Sequence, residues 1–301
     1  MSTPPIKPTV PLPPTVIRYG TYKGTQTYLD KATGKRFTAN GALPGRRVPP
    51  AVVGDAISAF YDGLSYRDIQ RRIESTHGFK PSTATIYEWV RDYSKQARLA
   101  TRDFTADTGD TWAADEMVVK IDGENIWLWN VMDVKTRYLL ATHLSKTRTI
   151  KDAQTVFKKA RSHARREPTA VITDGLAAYQ EGIERTFGGD TKHLVSPGIT
   201  SPLNNNFVER LNGTVRERTK VMRGMETKNT AEALIDGFVI HYNFMKPHDG
   251  LQGRTPAQAA DIPLLFKDWI EVAHLKDGTF MEPSPVVRTH LRDRTFSRRQ
   301  F

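Results

Sequence analysis

Apolar positions along this chain repeat with two different periods, and the change of period divides it. Between Pro50 and Tyr93 the spacing is helical. Val52, Val53, Ala56, Ile57 and Phe60 share one face, and Gly63 stops the run. Ser65 is a natural N-cap with Asp68 in the first turn of a second helix, which carries Ile69 and Ile73 inward and ends at Gly78. Pro81-Ser82 opens a third helix with Ile86, Trp89, Val90 and Tyr93 on its buried side. Two short helices around a glycine turn, next to a third, make a helix-turn-helix pattern.

Past residue 111 the period becomes that of strands. "DEMVVKI" alternates Met117, Val119 and Ile121, and "NIWLWNVMDV" is apolar on both faces, as a central strand would be. "RYLLATHL" follows as a third strand. A helix with Ile150, Ala153, Phe157, Ala160 and Ala164 on one stripe comes next, then the strand "TAVITDG". A second helix carries Leu176, Tyr179, Ile183 and Phe187, and "TKHLV" is the fifth strand. Three strands in series, then helix, strand, helix, strand and helix, is the order of an α/β RNase H-like core with a mixed five-stranded sheet and flanking helices. A doubly wound α/β sheet would need crossover helices between the first strands, where the loops are too short.

Composition narrows the function. The chain of 301 residues carries 44 Lys and Arg against 33 Asp and Glu, a net charge of +11. Residues 1–100 hold 15 basic and 7 acidic residues, 101–200 hold 14 of each, and 201–301 hold 15 and 12. A basic front joined to a neutral middle suits a polyanion-binding region coupled to one that needs acids. Cysteine is absent, which excludes disulfides, thiolate chemistry and cysteine-bound zinc. No apolar run reaches the ~18 residues of a membrane span, and residues 1–20 have no apolar signal core, so a soluble cytoplasmic protein is expected.

Acids at the ends of rigid elements are the candidate chemistry. Asp115 opens the first strand of the core, Asp174 closes the fourth, and Glu209 lies in the first turns of the helix after the fifth. Asp115 and Asp174 are 59 apart, and 34 residues separate Asp174 from Glu209. Carboxylates so placed suit Mg2+, a hard cation that takes oxygen ligands, and a pair of ions about 4 Å apart can drive phosphoryl transfer. Strand alternation turns Glu116 to the opposite face from Asp115. Asp122 reads as a turn residue and Asp133 as a structural acid, while His193 and His248 are expected to be structural, since magnesium disfavours imidazole.

"WAADEM" leading into "WLWNVMDVKTRYLL", then "ITDGLAAY", then "NNNFVERLNGTVR", resembles the catalytic core of DDE transposases and retroviral-type integrases. "HYNFMKPHDGLQGRTPAQAA", residues 241–260, is similar to that family's closing segment, and the likeness spans roughly residues 50–260. It implies that Asp115, Asp174 and Glu209 are catalytic metal ligands for two Mg2+ ions, with Mn2+ as a substitute. It also implies a transposase that binds the terminal inverted repeats of an insertion sequence, cuts the ends and joins a 3′-hydroxyl to target DNA. The partners implied are double-stranded DNA and further copies of the chain, as a homodimer or larger assembly. The alternatives are a domesticated, inactive DNA-binding regulator and an RNase H-like nuclease without strand transfer.

The domains expected are a proline-rich disordered segment (1–16), a β-ribbon (17–45), a helix-turn-helix domain (46–100), a linker (101–111), the catalytic domain (112–262) and a basic tail (263–301). The ribbon resembles the zinc ribbons of related transposases: Tyr28, Gly34 and Phe37 fit, while Asp30 and Thr33 stand where cysteines would be. It is therefore read as a degenerate ribbon without metal, and no zinc is expected. Arg71, Arg72, Lys80, Arg91 and Lys95 are expected on the DNA side of the helical domain, with Ser82, Thr83 and Thr85 placed to read bases. In the helix of Glu209, Val208, Leu211, Val215 and Met222 form the apolar face. Arg216, Lys220 and Arg223 fall within about 40° of Glu209, as a basic stripe for DNA. Glu217 points elsewhere and is within reach of Lys220.

Overall fold

A computed structural model describes residues 14–22, 25–34, 36–38, 47–196, 206–221 and 225–274, with the backbone alone at 22, 25, 206, 207, 220 and 221. The proline-rich start and residues 275–301, the arginine-rich part of the expected tail, lie outside the described residues.

Three strands, β1 (Val16–Tyr22), β2 (Thr25–Asp30) and β3 (Arg36–Thr38), form an antiparallel sheet in that order. Tyr28 and Phe37 stack across β2 and β3 with centroids 5.7 Å apart. At the two places where a zinc ribbon has cysteines, Thr33 Oγ1 donates to Asp30 Oδ2 at 2.8 Å and Ala32 N donates to Asp30 Oδ1 at 3.0 Å. These hydrogen bonds pull the Asp30 carboxyl below its usual range. The knuckle is thus closed by an Asx turn between the two residues.

Helices α1 (Pro50–Asp62), α2 (Tyr66–His77) and α3 (Thr83–Thr101) follow. Ser65 accepts from Asp68 N and Ser82 from Thr85 N, each an N-cap, and Gly78 closes α2 in the left-handed region. Ile57, Phe60, Ile69, Ile73, Ile86 and Val90 are buried, so the stripes seen in the sequence meet in one core.

The main sheet contains β4 (Thr111–Ile121), β5 (Glu124–Asp133), β6 (Leu139–Ser145), β7 (Ala170–Thr173) and β8 (Lys192–Val195), in the order β6-β5-β4-β7-β8. β4–β5 and β5–β6 are antiparallel, and β4–β7 and β7–β8 are parallel. With its flanking helices this is the RNase H-like α/β core. Helices α4 (Ile150–Ser162) and α5 (Ala177–Phe187) cover one face, where Trp129 meets Tyr179 edge-on at 5.5 Å. Helices α6 (Asn206–Val221) and α7 (Lys228–Ile240) cover the other. Val208, Leu211 and Val215 of α6 are buried as expected; Met222 lies outside the described residues.

Past α7 the chain makes a wide helical turn, His241–Met245. Asn243 there accepts from Leu139 N at 2.9 Å and donates to Leu139 O at 3.0 Å, which closes the start of β6. "RTPAQA" forms α8 (Pro256–Ala259), capped reciprocally by Thr255 and Gln258.

Two expected boundaries change. Residues 263–274 are not tail: they include α9 (Trp269–His274), whose Trp269, Val272 and Ala273 are buried because they offer an apolar stripe to α1. Residues 101–111 are not a free linker: Asp107 N donates to Ala260 O at 2.8 Å, and Ala106 bridges to Ala164. The three helices accordingly share buried contacts with α7 and α9. Tyr61 Oη lies 2.8 Å from Ser94 Oγ and donates to Leu234 O at 3.2 Å, and the Tyr61 ring stacks on Trp269 at 5.3 Å.

Candidate active site

Asp115 stands on β4 opposite Asn130 of β5, and both turn toward α6. Asn212 of α6 donates to Asp115 Oδ2 at 2.7 Å, and its own oxygen accepts from Asn130 Nδ2 at 2.7 Å. Asp174 comes directly after β7, the parallel neighbour of β4. Its Oδ1 accepts from Leu176 N at 3.1 Å, and Gly175 takes a positive φ of 90° so that the chain can turn there.

Asp115, Glu116 and Asp174 each offer a carboxylate oxygen within 4.8 Å of the others. Glu116 was not expected in this group. Alternation does set it on the α4–α5 side, where Tyr179 Oη donates to Glu116 Oε2 at 2.6 Å. Its longer side chain nevertheless brings the carboxylate level with the two aspartates, so direction at Cβ did not decide where the oxygens lie.

Glu209 is exposed in the first turns of α6, one turn before Asn212, and is not drawn into the 4.8 Å cluster. The segment that leads into α6, residues 197–205, lies outside the described residues.

The electrostatics suit a cation. Burial, then the negative charges of Glu116 and Asp174, push the Asp115 carboxyl up to about 7. A carboxylate raised in this way lacks positive charge beside it. Oxygen donors held inside β4 and just past the end of β7, one of them short of a counter-ion, fit a hard divalent metal. Asp115 and Asp174 would hold it, with Glu209 or Glu116 completing the set.

Other acids and histidines take structural work. Asp133 is fully buried and accepts from Gly109 N, Thr136 N and Thr136 Oγ1 at 2.6–2.9 Å, which fixes the β5–β6 turn. Asp122 is a turn residue with φ 52°. His193 Nε2 lies 2.8 Å from Thr173 Oγ1, and burial lowers its pKa. His248 sits edge-on to Tyr242 at 4.8 Å.

The expected DNA-facing cations are at the surface, but four are already paired: Arg71 with Asp68, Arg72 with Asp55 at 2.9 Å, Lys80 with Glu74 at 2.9 Å and Arg91 with Asp92 at 2.7 Å. Exposed pairs of this kind are worth about 0–1 kcal/mol, so phosphates can displace them. Thr83, Lys95 and Arg216 are exposed. Ser82 and Thr85 are joined within the α3 cap at 2.9 Å. The side chain of Lys220 and all of Arg223 lie outside the described residues.

Sequence reasoning missed Asn212, Asn130 and Arg148. Asn212 had a signal, since the i+3 position from Glu209 shares its helix face. Arg148, in the loop between β6 and α4, had none. Arg218 of α6 was also missed: it is buried, lies 4.4 Å over the Phe60 ring and donates to Leu64 O at 3.2 Å. Burial lowers its pKa to about 10.

The chain is similar to several known proteins. An uncharacterized protein of Methanocaldococcus jannaschii is 24% identical over 192 residues, which is 62% of this chain and 83% of that protein. Among solved structures, the HTLV-2 integrase catalytic core in complex with magnesium is 18% identical with a TM-score of 0.41, over 52% of this chain and 99% of that one. The simian T-cell lymphotropic virus intasome is 15% identical with a TM-score of 0.41, over 71% of this chain and 77% of that one. Residues 109–248, which run from the loop before β4 to the turn after α7, match the DDE domain family. By that match the chain carries a DDE domain in residues 109–248.

Proposed function

We propose that the protein is the transposase of an insertion sequence: it binds the terminal inverted repeats, cuts at the element end and joins the freed 3′-hydroxyl to target DNA. The observation that carries this reading is the meeting of Asp115 and Asp174, from adjacent parallel strands, with oxygens within 4.8 Å of each other. Glu209 waits on the helix that already touches Asp115 through Asn212.

Asp115, Asp174 and Glu209 would hold Mg2+ or Mn2+. When bound, the metal lowers the pKa of an attacking water or hydroxyl and stabilises charge on the leaving oxygen. The residues of the chain do the rest. Asn212 holds one Asp115 oxygen and would leave the other for the metal. Arg216, with Lys220 and Arg223 in the same helical stripe, would hold phosphates beside Glu209. Helices α2 and α3 would carry end recognition through Thr83, Thr85 and Ser82, with Arg71, Arg72, Lys80, Arg91 and Lys95 on the backbone. Two element ends must be brought together, so the working form would be a dimer or larger assembly on DNA.

Strand transfer with cognate end DNA, comparing the wild type with Asp174→Asn, tests the reading. The variant should bind ends but neither cut nor join. Normal joining by the variant would sink the metal assignment. Cleavage without joined products in the wild type would favour a simple nuclease, and inactive wild-type protein that still binds ends would favour a regulator.

A further inference from the structure

Arg148 stands between the carboxylate that the proposed mechanism does not use and one that it does. Its Nη2 donates to Glu116 Oε1 and lies 3.7 Å from Asp174 Oδ2. Its guanidinium carbon lies 4.7 Å over the Trp127 ring. The loop that carries it is pinned on both sides: Ser145 Oγ donates to Thr147 O at 2.6 Å, and Thr147 and Thr149 hydroxyls both donate to Asp152 Oδ2. Arg148 is therefore planted at this spot.

Glu116 has a side chain only 2% exposed, and both its oxygens are taken, one by Arg148 and one by Tyr179. Yet its carboxylate is within 4.8 Å of both aspartates. Left alone, a buried anion in that place would share any cation that Asp115 and Asp174 hold. The buried charge needs a partner, and Arg148 supplies it.

We propose that Arg148 is a positioning residue that withholds Glu116 from the metal at Asp115 and Asp174, which reserves the remaining ligand place for Glu209. This rests on the proposed metal site. It follows that the protein without DNA binds metal weakly, through two aspartates, and that the site tightens only when the Glu209 side chain joins them.

Mn2+ binding to the full chain without DNA, read from the electron paramagnetic resonance signal of free Mn2+, tests this. Arg148→Ala should bind Mn2+ about tenfold more tightly than the wild type, because Glu116 joins as a ligand. That gain should be unaffected by adding Glu209→Gln, and it should vanish in Arg148→Ala/Glu116→Gln. Arg148→Gln, which keeps bulk against Trp127, should show the same gain if the alanine variant folds poorly; thermal melts report folding of each. Unchanged or weaker binding in the folded Arg148 variants overturns the inference. So does a gain that survives Glu116→Gln, which would mean simple removal of a positive charge. Asp174→Asn separates the two levels of argument: if it leaves wild-type Mn2+ affinity unchanged, the metal site itself is wrong. If it abolishes binding while the Arg148 variants gain nothing, only the role of Arg148 fails.

Discussion

Asn212 of α6 and Asp115 of β4 are joined by a 2.7 Å hydrogen bond in which the amide donates, and Asn130 fixes that amide from beneath at 2.7 Å. A helix and a strand, joined through residues 97 apart, are locked at the carboxylate where metal is proposed to bind. Asn212→Ala should weaken Mn2+ binding about 10- to 100-fold, as loss of an orienting partner does. Calorimetric titration measures this, and equal affinity in the variant would show that Asp115 needs no such partner.

Asp115 makes metal-free stability depend on pH. Its folded pKa, about 7, lies above the ordinary aspartate value of 3.8. The folded state therefore holds the extra proton between those values, and the contribution of Asp115 to stability is full below about pH 4 and is lost as pH rises toward and through 7. Urea midpoints in EDTA should drop across that window, and Asp115→Asn should flatten the drop. Metal must displace the same proton, so apparent affinity should rise with pH up to about 7.

Docking of α1–α3 on α7 depends on a missing side chain. A Cβ at Gly237 would lie 1.9 Å from Tyr61 Oη and 2.1 Å from Ser94 Oγ. Gly237→Ala should cost about 1–3 kcal/mol in denaturant unfolding, the usual range for overpacking. Gly213 in α6 faces open space, so Gly213→Ala should instead add about 0.5–1 kcal/mol. Equal effects at the two sites would show that the α1–α7 contact is loose.

Arg72 tests the proposed DNA face. It pairs with Asp55, which also meets His77 Nε2 at 3.1 Å. Arg72→Ala should weaken binding to all duplex sequences alike and lower the log–log salt slope by about 1. A change confined to one base pair would move Arg72 from phosphate contact to base reading.

The order of strands and helices along the chain and the place of Asp174 after its strand were readable because each rests on local period or on position along one element, whereas Asp115 lies inside β4 rather than at its start. Val52 to Tyr93 repeat at helical spacing, and Met117, Val119 and Ile121 alternate. What stayed hidden depends on side-chain length or on partners far along the chain. Alternation gave the side of β4 that Glu116 occupies, but not that its extra methylene returns the carboxylate to the aspartates. Trp269 sat in a stretch ending in arginines, so composition masked a short apolar helix whose partner, α1, lies some 200 residues earlier.

Arg218 buries its charge under Phe60 and holds the carbonyl of Leu64, on the same helix that carries Glu209. With Tyr61 seated against α7, this leaves no hinge among the described residues between the helices proposed to read DNA and the sheet proposed to cut it. Under the proposed function the protein would be a fixed-length gauge: the distance from recognised bases to the severed bond would be set by the body of the protein, and an element whose repeats gain or lose a base pair between those points should be cut out of step.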